Sequence, residues 1–124
     1  MRRPPIASAA LATVWAVFLA AVPLPAGSEA PYFHTGNDLR FSCTSSGDYH
    51  IAACRGFVAG VIDQAELDAR VGRASRMFCL PSGVTVGQIT DVTRKFLRNN
   101  PEILHRPAVA LIILAMTDAF PCRR

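Results

Sequence analysis

The chain has 124 residues, 13 of them basic and nine acidic, for a formal charge of +4. That length holds one domain around one core. The bases are scattered rather than striped, which excludes the electrostatic footprint of a nucleic-acid-binding protein.

The N-terminus reads first as an export signal. Arg2 and Arg3 precede an apolar run from Ile6 to Val22, which Pro23 and Pro25 break before small residues and the first acid, Glu29. A positive end, an apolar stretch and a small-residue exit form the order of a secretory signal peptide. Residues 1–26 are therefore expected to be the signal and 27–124 the mature domain, with cleavage after Ala26 or, as second choice, after Ala30. The alternative is a retained anchor, but the run from Ile6 to Val22 falls short of the ~20 residues that span a bilayer core. Export to the periplasm without stable membrane insertion is the expectation. Loss of Arg2 and Arg3 leaves eleven bases against nine acids, a nearly balanced domain.

After a weakly structured segment, Gly27 to Thr35, the pattern predicts an all-α fold, a small four-helix bundle. Thr35 can cap a short first helix with Asp38 three residues on, and Leu39 and Phe41 to Cys43 supply apolar contacts before Thr44-Ser45-Ser46-Gly47 ends it. Asp48 is a candidate N-cap for the second helix. There Ile51, Cys54, Val58, Val61, Ile62 and Ala65 recur at three- and four-residue steps on one face, to about Val71 or Arg73. Gly56 and Gly60 stack four apart, at about 1 kcal/mol each relative to alanine, which predicts a backbone packed closely against them. Arg55 and Asp63 in the same helix argue against a membrane dimer. The order Asp63, Glu66, Asp68, then Arg70, Arg73, Arg76 predicts ion pairs at three- and four-residue spacing; Asp63, next to Val61 and Ile62, could be half-buried.

Thr85 and Gln88 form a capping box for the third helix, with Val84 and Ile89 as its hydrophobic staple. Ile89, Val92, Phe96 and Leu97 make its expected buried stripe, and Asn99-Asn100-Pro101 ends it, because the residue before proline is driven from helical geometry. Pro107 can open the fourth helix. Ala108 to Phe120 is apolar nearly all round, which predicts a central position in the bundle until Pro121 stops it.

Cys43, Cys54, Cys79 and Cys122 all lie in the exported part, and an even number in a small oxidised domain reads as two disulfides. In an up-and-down bundle the fourth helix returns Cys122 to the level of Thr85, near Cys79. Cys43 and Cys54 flank the turn between the first two helices. The expected pairs are therefore Cys43 with Cys54 and Cys79 with Cys122. The pattern contains no Cys-x-x-Cys and no histidine at ligand spacing to a thiol, so no metal, cofactor or redox role is expected.

His34, His50 and His105 are the histidines, and none stands in a motif that activates a nucleophile. No catalytic residue is assigned, and the chain is read as a binding protein, not an enzyme. Glu102, His105 and Arg106 share the turn before the fourth helix. His105 is expected to cap that helix, whose first N–H groups need partners; the alternative is that the three side chains contact a partner.

Several of these residues also form a family pattern: Gly36-Asn37, Cys43, Cys54-Arg55-Gly56-Phe57 with Gly60 and Asp63, Phe78-Cys79-Leu80-Pro81-Ser82-Gly83-Val84-Thr85 with Gln88, Pro101-Glu102, His105, Ala108, and Ala119-Phe120-Pro121-Cys122. In order and spacing this resembles the Rap/Tai immunity proteins of type VI secretion systems. The resemblance implies a periplasmic, disulfide-bonded helical protein, often homodimeric, that binds a peptidoglycan-cleaving amidase toxin and blocks its active site. It carries over no toxin-contacting position by motif. A general periplasmic chaperone or stress-protective binding protein is the alternative reading of the same small helical make-up.

Overall fold

A computed structural model describes residues 32–123; the expected signal peptide and both cleavage sites lie outside the described residues. Thr35 starts the first helix, α1 (Gly36–Thr44), through a complete capping box. The Asp38 carboxylate accepts from the Thr35 N–H at 2.8 Å and from its hydroxyl at 2.7 Å, and the Thr35 Oγ1 accepts from the Asp38 N–H. The cap frees α1 from the need for length, since nine residues would not hold a helix alone. Leu39 and Cys43 turn inward, whereas Phe41, expected among the apolar contacts, lies exposed on the opposite side.

Helix α2 (Asp48–Arg70) supplies the longest wall of the core, with Cys54, Val58 and Ile62 fully buried. Asp48 is its first residue and not its cap. Gly47 takes the cap position at φ +113°, a conformation only glycine enters freely, and no side chain bonds there. Gly72 at φ +73° ends the helix earlier than the charge pattern indicated, as the Arg73 N–H returns to the Asp68 carbonyl at 2.8 Å. This reversal changes the ion pairs. Arg73 reaches Asp68 at 3.2 Å and Arg76 reaches Glu66 at 3.1 Å, both from beyond the helix, in place of the expected pairs at helical spacing. Asp63 is exposed, not half-buried.

An extended segment follows, which buries Phe78 and docks where the Cys79 N–H donates to the Phe120 carbonyl at 2.8 Å. Thr85 and Gln88 form the expected capping box on α3 (Val86–Asn99). Its buried face differs from the expected stripe. Ile89, Thr90, Thr93 and Leu97 are inside, and Val92 and Phe96 are only partly covered. The two threonines can replace valine there because each hydroxyl donates to the carbonyl four residues back, to Val86 at 2.7 Å and to Ile89 at 2.9 Å. On α3, Arg94 also ties the bundle together. Its Nε donates to the Cys43 carbonyl at 2.7 Å, covering an orphan acceptor at the C-terminus of α1, while Asp91 holds its other end at 3.0 Å.

After a 3₁₀ turn, Pro101–Ile103, the last helix α4 (Ala108–Ala119) begins with Pro107 at its cap position. His105 does not cap it. The first N–H, of Ala108, donates instead to the His34 carbonyl at 2.9 Å, next to an isolated bridge between Thr35 and Pro107. Ala108, Leu111, Ile112, Ala115 and Met116 are fully buried. The remaining side of α4 is not, which corrects the expected central position: Leu114 is 42% exposed, and Val109 and Ile113 are half-covered. Every pair of the four helices is in contact, so the short α1 touches all the others.

The two disulfides join Cys43 to Cys54 and Cys79 to Cys122, the expected pairs. The first staples α1 to α2 over a separation of 11 residues. The second closes 43 residues and locks the chain after α4 to the segment before α3.

Candidate partner-binding face

Among the described residues no group of three or more His, Cys, Asp or Glu side chains could hold a metal ion, and every buried side-chain nitrogen and oxygen has a hydrogen-bond partner.

Beside the buried stripe of α2 lie two adjoining depressions that share Phe57. One is an apolar groove of about 470 Å³, with Gly56, Gly60 and Val61 along α2, Met77 from the extended segment, and Val109 and Ile113 from α4. The spacing 56, 57, 60, 61, 64, 65, 68 puts these α2 residues on one stripe. Contrary to the sequence expectation, no backbone among the described residues packs against Gly56 or Gly60: a Cβ on either would meet nothing there within 4 Å. Their intrinsic penalty is therefore uncompensated in a single copy. Gly56→Ala with Gly60→Ala is expected to raise the unfolding free energy by about 1–2 kcal/mol in total. A lowered midpoint in a urea titration at high dilution would show that the groove is filled within the chain.

The second depression, about 280 Å³, lies in the corner between α1 and α2. Three ring contacts build it. His34 stands edge-on to Phe57 with centroids 5.3 Å apart, and His50 meets Phe41 at 5.3 Å and Tyr49 at 5.5 Å, all near perpendicular. Aromatic quadrupoles favour this geometry. Around it Phe33 is 96% exposed and Tyr49 80%, and Tyr32 is also open to solvent. Tyrosine and phenylalanine in such number on a surface are the residue types that dominate protein interfaces. Asp38 is the charged member. The hydrogen bonds from Thr35 lower its pKa below the ordinary 3.8, so the carboxylate stays ionised and its capping contribution is lost only as pH falls through that lowered value.

Glu102, His105 and Arg106 are each exposed, in the turn before α4. Their backbone lies against the start of α1: the Gly36 N–H donates to the Arg106 carbonyl at 2.9 Å and the Asn37 N–H to that of Leu104 at 3.0 Å. The four cysteines serve the scaffold, with Cys54 at the base of the aromatic corner. The corner itself escaped the sequence reading. Its signal was the concentration of rings from Tyr32 to Phe57, which helical periodicity does not weigh.

Against this geometry, the profile of the Rap1a immunity proteins matches residues 35–122. The chain belongs to the Rap1a immunity protein family. No curated protein and no solved structure matches it. The matched range begins at the residue that caps α1 and ends at the cysteine that closes the second disulfide, so it takes in all four helices. Membership of the Rap1a family makes the chain an immunity protein, whose partner is an effector protein. Its two disulfides, with that membership, indicate an extracytoplasmic protein. Among the described residues no helix is long and apolar enough to cross a membrane.

Proposed function

We propose that this Rap1a-family chain is a periplasmic immunity protein that binds a peptidoglycan amidase delivered by type VI secretion and blocks its active site. One observation carries the reading: a chain of this family gathers the rings of Phe41, Tyr49 and Phe57 into one open corner between α1 and α2, adjoining an apolar groove along α2. Contiguous apolar patches of this kind mark protein–protein sites. Residues 27–124 are the proposed mature domain, released by cleavage of the signal in residues 1–26. The turn bearing Glu102, His105 and Arg106, laid against the start of α1, is proposed as a second, polar part of the contact. Inhibition needs stoichiometric occupancy and no turnover, which suits a rigid, disulfide-held scaffold.

Periplasmic co-expression with an amidase encoded beside the gene is the test. Protection from lysis and co-purification of a stable complex are expected, and Phe57→Ala with Tyr49→Ala should weaken binding by at least about tenfold, as for interface anchors. Continued lysis with no complex would refute the reading.

The bare glycines favour one addition. We propose that the family's homodimeric habit is served here by the Gly56–Gly60 groove, where two α2 helices approach without intervening side chains. Gly60→Leu introduces a Cβ that meets nothing within 4 Å among the described residues. Light scattering is expected to show a dimer that this substitution converts to a folded monomer; an unaltered dimer places the interface elsewhere.

A further inference from the structure

The corner between α1 and α2 is more selective than a generic sticky patch. Its lining joins the rings of Phe41, Tyr49 and Phe57 and the imidazoles of His34 and His50 to a single carboxylate, Asp38, and contains no lysine or arginine. Both hydrogen bonds that Asp38 accepts from Thr35 go to Oδ2, at 2.8 and 2.7 Å, and no hydrogen bond in the described residues engages Oδ1. The carboxylate is thus held in place by the cap of α1 while one oxygen remains free for a ligand. Ring faces attract cations through their quadrupole, and a carboxylate beside them selects a cation that is flat and has paired donors. A guanidinium meets both conditions better than an ammonium, because it stacks on rings and gives up less hydration.

We propose that this corner is a receptor for one arginine side chain presented by the effector, stacked on the Tyr49 and Phe41 rings and hydrogen-bonded to Asp38. The proposal rests on the immunity reading for the source of the arginine, but the corner's chemistry stands apart from it. The charge complementarity is local: among the described residues the corner sets one carboxylate beside the His34 and His50 imidazoles, with no lysine or arginine, on a domain in which bases outnumber acids. An effector arginine would therefore find Asp38 without crossing a generally attractive surface.

The test begins with the mature protein and no effector. Acetyl-arginine amide is titrated while the ring signals of Phe41, Tyr49 and His50 are followed by NMR, with acetyl-citrulline amide as an uncharged probe of the same shape. Saturable shifts with a dissociation constant on the order of 1–10 mM are expected for the arginine probe, given its few contacting atoms, and none for citrulline. Asp38→Asn retains an oxygen for the Thr35 cap and removes the charge; Tyr49→Leu, at an exposed position, removes the ring. Each should weaken the arginine probe at least about threefold. Equal response to both probes, or no loss in either variant, would overturn the proposal. In a second arm the co-expressed amidase should bind both variants more weakly; an amidase that does not bind the unaltered protein, alongside a corner that takes arginine, refutes the immunity reading alone.

Discussion

Replacing Cys79 and Cys122 together by alanine is expected to lower the unfolding free energy by about 4 kcal/mol, against about 3 kcal/mol for the Cys43/Cys54 pair. The difference follows from loop length, 43 residues against 11. A crosslink acts mainly by restricting the unfolded chain, and the longer loop has more freedom to lose. The native state adds a local reason. The segment from Val71 to Val84 has no helix of its own, and Phe78 is buried only because Cys79 is pinned to the end of α4 by the disulfide and by the bond to Phe120. A domain of this size has about 5–15 kcal/mol in total, so the melting temperature should fall by roughly 15–30 °C. Urea titrations under non-reducing conditions measure both losses. A loss below about 1 kcal/mol for the Cys79/Cys122 variant, or a larger loss for the Cys43/Cys54 variant, would contradict this account.

Gly36→Ala is the second large effect, and its sign is opposite to that of the same substitution at Gly60. A Cβ at Gly36 would stand 2.9 Å from the Leu104 carbonyl oxygen and 3.0 Å from the Leu104 Cα, and would collide with the Leu111 Cδ1. Leu111 alone could rotate aside; backbone cannot. The spacing is held by the bonds from Gly36 N–H to Arg106 and from Asn37 N–H to Leu104. Opening it would tear the turn from α1 and uncover Leu104, which is 3% exposed. Overpacking against a fixed backbone costs about 1–3 kcal/mol, and the modest helix preference of alanine does not offset it. The pair Gly36→Ala and Gly60→Ala, compared by denaturant midpoint, therefore tests both glycine assignments at once. Two shifts of the same sign would refute one of them.

These glycines show where reading the chain in one dimension succeeds and fails. Both capping boxes were legible in Thr35–Asp38 and Thr85–Gln88, since a cap is built from residues three apart and needs nothing distant. The disulfide pairing was legible as well, because Cys43 and Cys54 flank one turn and the last helix returns Cys122 to the end of the bundle where α3 begins, close to Cys79. The glycines were misread. Gly56 and Gly60 looked like sites of close approach and face open space, whereas the close approach occurs at Gly36. What lies opposite a glycine comes from another part of the chain, and no local pattern contains it. Thr90 and Thr93 stand outside the expected stripe and yet are buried: their hydroxyls are satisfied within their own helix, which leaves a methyl to pack. The aromatic corner was missed because its rings come from the segment before α1, from α1 and from α2, and only the meeting of the three makes a site.

By itself, then, the amino-acid order determined the helices, the two capping boxes, the oxidised pairs and the family pattern, all of which depend on near neighbours along the chain or on the spacing of a few residue types. Which apolar side chains remain uncovered was decided by the tertiary structure. Helix α4 and the outer face of α2 have more apolar surface than the other helices can cover, and that excess is left facing outward, where a partner can reach it.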